Sequence, residues 1–134
     1  MEWKDEYATG IRNIDDQHRQ IVHLATAFER LPADAADWTG VHALILRTSA
    51  YLQYHFAVEE ALMRLLPQGD NAIHRAEHRA VLAALAELEN NAREGIEPAA
   101  LAPLMRHLLL DHLRGSDLRF AARALAQWRR FGED

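Results

Sequence analysis

The sequence predicts an all-α fold: an antiparallel up-and-down four-helix bundle with an N-terminal arm and a short C-terminal helical extension. Two observations support this prediction. The 134-residue chain is 49% hydrophobic with only 6 Gly and 4 Pro, and apolar residues recur every three or four positions along most of it. Such a chain can fill one core and has few helix breakers, so we expect a single domain over residues 1–134.

The first segment, residues 1–14, has no helical periodicity but carries several large apolar residues. We therefore expect an ordered arm that packs across the bundle. A first helix is predicted to begin with Asp15 or Asp16 as its N-cap and to stop at Pro32. The candidate packing residues of the arm are Trp3, Tyr7, Ile11 and Ile14.

Two further helices follow from capping signals. Thr39 is predicted to cap a long second helix, which Pro67 and Gly69 end. Asp70 is predicted to open a third helix, and Gly95 to close it as a C-terminal glycine cap.

The fourth helix is predicted to start at Pro98, because proline is favoured in the first helical turn. Gly115 interrupts this helix, and residues 117–131 continue as a shorter helical piece. Four helices joined by short loops imply antiparallel neighbours.

The composition excludes several classes of protein. The chain has no Cys, which excludes disulfide scaffolds, thiolate metal sites and cysteine nucleophiles. Its net charge of −5 argues against nucleic-acid binding, and no apolar run of about 18 residues predicts a membrane span. No signal peptide is recognisable, so we expect a cytoplasmic protein with no nucleic-acid or membrane partner. Five late arginines are interpreted as a solvated helix face: Arg114, Arg119, Arg123, Arg129 and Arg130.

Seven residues of the sequence are potential metal ligands. Six of them occur as three pairs that are close in the sequence, and the seventh stands alone. Two pairs have the i, i+4 spacing that places both side chains on one helix face. The third pair, His112 and Asp117, is five residues apart, and Gly115 between them permits a break in the helix. The seven residues are His18, His55, Glu59, His74, His78, His112 and Asp117.

The seven residues can share metal only if the bundle brings them to one level. From His18 to the end of the first helix near Leu31 is 13 residues, and from Thr39 to His55 is 16. At 1.5 Å per residue these are about 20 Å up and about 24 Å down, which nearly cancel. The same count through the other helices places all seven in one layer near one end. The remaining histidines are interpreted as structural or solvent-facing: His23, His42 and His107.

Seven ligands are too many for one tetrahedral zinc and fit two six-coordinate ions with one position open. Neutral imidazole suits Fe, Cu, Ni and Zn, whereas bridging carboxylates and higher coordination favour iron among them. We therefore predict a pair of irons.

At this point the sequence resembles the hemerythrin family, and its bacterial single-domain members in particular, over essentially its whole length. The resemblance rests on five elements in order: an arm, an ID-x-QH element, an HF-x-x-EE-x-x-M element, an H-x-x-EH element and an H-x4-D element. These are Trp3, Tyr7 and Gly10; Ile14, Asp15, Gln17 and His18; His55, Phe56, Glu59, Glu60 and Met63; His74, Glu77 and His78; and His112 with Asp117.

The resemblance implies an oxo- or hydroxo-bridged di-iron centre at which dioxygen is the ligand. The ligands implied for one iron are His74, His78 and His112, and those for the other, which binds dioxygen, are His18 and His55. The implied bridges between the irons are Glu59 and Asp117.

The resemblance also identifies an apolar oxygen pocket and three departures from the family. Leu108 stands where a Trp is common, and Val81 where an aromatic residue is common. The Tyr that often precedes the third helix is absent from residues 65–67. Pocket volume and the lifetime of the oxygen complex depend on these positions. The residues that match the pocket are Phe56, Leu109, Leu113 and Phe120.

The resulting hypothesis is reversible dioxygen binding for storage, delivery or sensing, without catalytic turnover. Five histidines against two carboxylates favour it, because di-iron oxygenases in bundles use carboxylate-rich sites. One alternative is a di-iron enzyme of the peroxidase or nitric oxide reductase type with an unidentified redox partner. Another is iron storage or a purely structural bundle.

Overall fold

The computed structural model describes residues 2–31, 38–65, 71–95 and 98–133. Within these ranges the chain forms one short 3-10 turn and five α-helices, with no strand. None of these helices combines the length and the apolar character needed to cross a membrane. The 3-10 turn is Asp5–Tyr7, and the helices are α1 Arg12–Glu29, α2 Trp38–Met63, α3 Asn71–Arg93, α4 Pro98–Arg114 and α5 Ser116–Glu133.

The all-α bundle predicted from the sequence is confirmed. Helix α1 packs against both α2 and α4, and α2 packs against α3, whereas α3 and α4 lie further apart. The apolar faces of these four helices meet in one main core, which contains Ile21, Phe28, Ile45, Leu52, Leu85, Leu101, Met105 and Leu109. Burial of these side chains is the main favourable term that holds the helices in register.

Helix α1 begins earlier than predicted. The sequence favoured Asp15 or Asp16 as N-cap, but the helix starts at Arg12, and Asp15 lies within its first turn. The Asp15 carboxylate instead accepts hydrogen bonds from the arm: from the Thr9 N–H at 2.7 Å, the Thr9 hydroxyl at 2.7 Å and the Gly10 N–H at 3.3 Å. Asp15 therefore lies inside the helix and accepts hydrogen bonds from the arm before it, instead of capping the helix from outside as expected.

The other boundaries are close to those predicted. Helix α2 begins at Trp38, one residue before the predicted cap Thr39, and α4 begins at Pro98 as predicted. Gly95 follows α3 with a φ of +118°, and its N–H bonds to the Ala92 carbonyl, so the predicted glycine cap is confirmed. The predictions for Pro32, Pro67, Gly69 and Asp70 fall outside the described residues.

Gly115 separates α4 from α5, as predicted. A Cβ at this position would lie 3.0 Å from the Asp111 carbonyl oxygen, so a larger residue would crowd the turn. Helix α5 covers the predicted residues 117–131 and extends slightly beyond them at both ends. It closes the end of the bundle through a small cluster formed by Ile14, Met63, Phe120 and Ala124.

The N-terminal arm is ordered and packs on the bundle, as expected. Tyr7 is buried, and its ring meets Trp3 edge to face at 5.6 Å between centroids. The Arg19 guanidinium lies 4.6 Å from the Trp3 ring centre, and Arg114 bonds to Glu6 at 2.7 Å. Two cations on the bundle therefore hold the arm in place.

We expect Asp15→Ala to loosen the arm and lower the free energy of unfolding by about 1–3 kcal/mol, because it leaves buried N–H groups without an acceptor. Asp16→Ala is the matched control, since Asp16 is exposed and its ion pair among the described residues is with exposed Arg19. Denaturant unfolding and limited proteolysis of the arm measure the difference. Equal stability of the two variants would contradict this role for Asp15.

Candidate metal centre

The structure brings together all seven residues that the sequence singled out. They come from α1, from the late part of α2, from the early part of α3, and from either side of the break at Gly115. None is more than 6% exposed. Because they lie early in α1 and α3 and late in α2 and α4, their meeting also shows that successive helices run in opposite directions.

Asp117 lies between the histidines. Its Oδ2 atom is 2.6 Å from His18 Nε2 and 3.1 Å from His55 Nε2. The same oxygen is 2.7 Å from His112 Nε2, and the other oxygen, Oδ1, is 2.8 Å from His74 Nε2. The two oxygens therefore face different histidines, as a bridging carboxylate would.

Glu59 lies between the same histidines. Its Oε1 atom is 2.7 Å from His55 Nε2 and 3.6 Å from both His78 Nε2 and His112 Nε2. Its Oε2 atom is 3.6 Å from His74 Nε2. Glu59 and Asp117 thus place four carboxylate oxygens among five imidazoles.

The potential ligand atoms fall into two overlapping groups, each within a span of 4.8 Å. Both groups contain Glu59 and Asp117. His112 lies with the first group, 3.2 Å from His55 Nε2, whereas the family resemblance predicts that it shares a metal with the second. The division of histidines between two metals remains a prediction. The groups are His18, His55, Glu59, His112 and Asp117, and Glu59, His74, His78 and Asp117.

The electrostatics of the site favour positive charge. Burial opposes protonation of His112, but the charge and hydrogen bond of Asp117, with Glu59, raise its pKa to about 10. Burial likewise opposes protonation of His55, yet Asp117 and Glu59 raise its pKa. Burial opposes ionisation of Asp117, but His112, His18 and His55 hold the pKa of this carboxyl well below its usual value. The buried carboxylates thus favour the protonated form of His55 and His112, and these histidines favour the ionised form of Asp117.

Several buried polar atoms in this cluster have no hydrogen-bond partner among the described residues. Both carboxylate oxygens of Glu59 are among them, although His55 Nε2 approaches Oε1 to 2.7 Å. So are both ring nitrogens of His78 and Nδ1 of His18. Leaving such groups unpaired away from water is costly. A cation among these lone pairs would remove that cost, and imidazole with carboxylate suits first-row transition metals, so the site fits the predicted irons.

Two side chains outside the ligand set lie beside the histidines, and the sequence analysis assigned them no role. His55 Nδ1–H donates to Gln17 Oε1 at 2.7 Å, which leaves Nε2 as the nitrogen that faces the cluster. Glu60 Oε2 lies 3.5 Å from His78 Nδ1. Each residue stands next to a ligand in the sequence, and this adjacency is the signal that could have identified them.

Apolar residues enclose the cluster. The Phe56 ring stacks on the His78 ring at 3.9 Å between centroids, and Phe120 meets His74 at 5.6 Å. Leu109 and Leu113 are fully buried. All four residues predicted for the oxygen pocket are therefore buried, and the two phenylalanines lie directly against candidate ligands. The role of the four residues toward oxygen remains a prediction.

A cleft of about 740 Å³ opens between α3 and α4 and reaches His112. It is lined by Val81 and Leu108, the two positions where the sequence has aliphatic residues in place of common aromatic ones. The space expected from these two smaller side chains is present, and it lies between solvent and the candidate ligand His112. The other apolar residues along it are Ala80, Ala84, Leu88 and Leu104.

The three remaining histidines lie outside the cluster, as predicted. His23 is exposed. His42 bonds to Glu89 at 2.6 Å, and exposed His107 approaches Asp111 at 3.2 Å within α4.

We expect Gln17→Leu to lower metal affinity about 10- to 100-fold, because it frees the His55 ring to rotate and change tautomer. Gln20→Leu, on the exposed side of the same helix, is the control and should bind metal like the unmodified protein. Competition with a chelator measures both affinities. Equal affinities would mean that Gln17 does not orient His55.

The comparisons with known proteins agree with this site. The sequence profile of the Hemerythrin HHE cation binding domain matches residues 9–124. The chain is 28% identical over 134 residues to bacteriohemerythrin of Stenotrophomonas maltophilia, covering 98% of this chain and 86% of that protein. It is 26% identical over 116 residues to bacteriohemerythrin of Pseudomonas aeruginosa, covering 86% of this chain and 75% of that protein.

The fold has a solved counterpart. A crystal structure of wild-type hemerythrin superposes with a TM-score of 0.81, covering 92% of this chain and 97% of that chain at 24% identity. Because the domain profile matches residues 9–124, which is most of the chain, the chain belongs to the hemerythrin family.

Proposed function

We propose that this protein binds dioxygen reversibly at a non-haem di-iron centre, for oxygen storage, delivery or sensing. The observation that carries the proposal is the pair of buried ligand groups that share Glu59 and Asp117. Two carboxylates common to both groups suit two adjacent metals better than one. The names of the relatives, bacteriohemerythrins, support the same conclusion.

In this proposal the seven residues divide by role. The carboxylates of Glu59 and Asp117 bridge the metals and balance their charge. When bound, the irons supply the electrons for dioxygen binding. The ligands proposed for one iron are His74, His78 and His112, and for the other His18 and His55.

The surrounding residues protect the bound oxygen. Phe56 and Phe120 cover imidazole rings, and Leu109 and Leu113 are fully buried apolar residues of α4, the helix that carries His112. Exclusion of water limits the proton supply that would release reduced oxygen and leave oxidised iron. These four apolar side chains therefore favour reversible binding over oxidation.

A di-iron enzyme of the peroxidase or nitric oxide reductase type, reduced by an external partner, is the second candidate. One observation favours it: the α3–α4 cleft reaches His112 and offers a small substrate a path toward the site. The His-rich ligand set favours the first candidate, because it supplies less anionic charge than the carboxylate-rich sites of di-iron oxygenases.

We expect the purified protein to hold about two irons per chain and to gain and lose a visible oxygenated absorbance on cycling between air and argon. Glu59→Ala should lose most of the iron, because it removes a ligand shared by both metals. His42→Ala should keep it, because His42 bonds to Glu89 away from the cluster. Elemental analysis and oxygen titration test this. One metal per chain, or equal iron in the two variants, would contradict the di-iron assignment.

We expect Leu108→Trp to slow autoxidation and azide binding by filling the cleft beside His112. Leu104→Trp is the control, since Leu104 lines the same cleft about two turns away from His112 and is 47% exposed. Stopped-flow azide binding, decay of the oxygenated absorbance and melting temperature are measured for each protein. Unchanged or faster decay in well-folded Leu108→Trp would contradict the cleft as a route, and a lowered melting temperature alone would indicate overpacking.

A further inference from the structure

The α3–α4 cleft has the size and the lining of a site for a small organic molecule. Its volume of about 740 Å³ lies within the range of ligand pockets in proteins, which is about 300–1,000 Å³. The cleft exists because α3 and α4 lie further apart than the other adjacent helices of the bundle. Its walls suit the apolar part of a ligand, since they carry Ala80, Val81, Ala84 and Leu88 from α3, and Leu104 and Leu108 from α4.

The charged groups of the cleft are mostly acidic. Three carboxylates line it, against a single guanidinium, that of Arg119. This guanidinium lies 3.9 Å from a Glu77 oxygen, so the one arginine of the cleft already has an acidic neighbour there. The field in the cleft therefore favours a cationic ligand over an anionic one. The titratable residues that line the cleft are Glu77, Glu87, Asp111, Arg119, His107 and His112.

Two of the carboxylates stand at opposite ends of the apolar walls. His78 and His112 mark the level of the metal cluster, because the Nε2 atom of each lies 3.6 Å from Glu59 Oε1. Asp111 precedes His112 by one residue, and Glu87 follows His78 by nine. At 1.5 Å per residue, Asp111 lies close to that level and Glu87 about 14 Å from it, so about 12 Å separates them along the bundle. Most of the apolar walls lie between these two positions.

We propose that the α3–α4 cleft binds a linear aliphatic diamine, with one ammonium group at Asp111, the other at Glu87 and the methylene chain along the apolar walls. Alkylamines are protonated at neutral pH, as lysine is, so each end carries a positive charge. An extended chain of eight methylene groups holds its two nitrogens about 11 Å apart, which matches the spacing of the carboxylates. This ligand is distinct from dioxygen, and its site uses the cleft rather than the metal ligands.

Molecules of similar length with other end groups fit the cleft less well. Octylamine has the same methylene chain but pairs with one carboxylate only. Octanoate brings a negative charge into a cleft that is already acidic. A three-carbon diamine is too short to reach both carboxylates and buries fewer methylene groups. Because both Asp111 and Glu87 are exposed, each ion pair strengthens binding by only about twofold to fivefold.

Isothermal titration calorimetry of the iron-loaded full chain with these four compounds tests the proposal. We expect one diamine site per chain, with the eight-carbon terminal diamine binding about twofold to fivefold more tightly than octylamine. Added salt should weaken the diamine more than octylamine, because the diamine makes two ion pairs. Octanoate or the three-carbon diamine binding as tightly as the eight-carbon diamine, or no binding of the eight-carbon diamine at millimolar concentration, would overturn the proposal.

A charge variant tests the two ends of the site. Glu87→Gln should weaken the eight-carbon diamine about twofold to fivefold and octylamine less, because octylamine can still pair with Asp111. Asp16→Asn is the matched control, since it removes the same charge from an exposed position on α1, outside the cleft. It should bind both compounds like the unmodified protein. Equal losses in Glu87→Gln and Asp16→Asn would show that the diamine responds only to net charge, which contradicts this site.

A volume variant tests the apolar walls. Ala84→Phe places a ring in the middle of the cleft and should weaken the eight-carbon diamine and octylamine at least about tenfold, because the methylene chain loses its place against the walls. Ala83→Phe is the control, since Ala83 is exposed on α3 and does not line the cleft. Melting temperatures establish that both variants fold. Diamine affinity that is the same in the two folded variants would place the diamine elsewhere on the protein and overturn the proposal.

Discussion

The structure depends on the burial of two carboxylates, Glu59 and Asp117, at a point where four helices and the start of a fifth meet. Both are inaccessible to water, and an isolated carboxylate in that environment would be too costly to keep ionised. Five imidazoles surround them, and the two carboxylates raise the pKa of both His55 and His112, which favours the charged form of these imidazoles in the absence of metal. Metal cations would compensate the same negative charge and would also bind the lone pairs that have no hydrogen-bond partner. The layer that most needs metal is therefore also the layer at which the helices are aligned.

Much of this layer could be predicted from the sequence, because the rise per residue of an α-helix is constant and the loops are short. Counting from His18 through α1 and α2 to His55 needs no side-chain detail. The start of α1 was harder to predict, because the sequence around Asp15 is the same whether Asp15 caps a helix or accepts hydrogen bonds from Thr9 and Gly10. Local sequence does not distinguish these outcomes, because the choice depends on where the arm packs.

The hydrogen bond of Gln17 and the position of Glu60 could not be predicted for a related reason. Adjacency to a ligand is visible in the sequence, but a hydrogen bond from α2 to Gln17 on α1 depends on how the two helices are rotated against each other. The cleft beside His112 was easier to predict from the sequence. Leu108 and Val81 are smaller than the aromatic residues common there, and the protein leaves the space open rather than collapsing into it.

Helix α2 combines the ligand layer and the apolar core in one element. Its inner side carries polar Thr48, His55 and Glu59, all fully buried, and on either side of the ligands along the helix it carries the buried apolar residues Leu52 and Met63. Burying polar ligands contributes less to stability than burying leucines, because a polar group loses its contacts with water. The apolar residues therefore hold α2 in the bundle, and the ligands between them gain from metal, which satisfies their lone pairs. A helix of this kind can keep its place in the bundle without metal and still be stabilised further when metal binds.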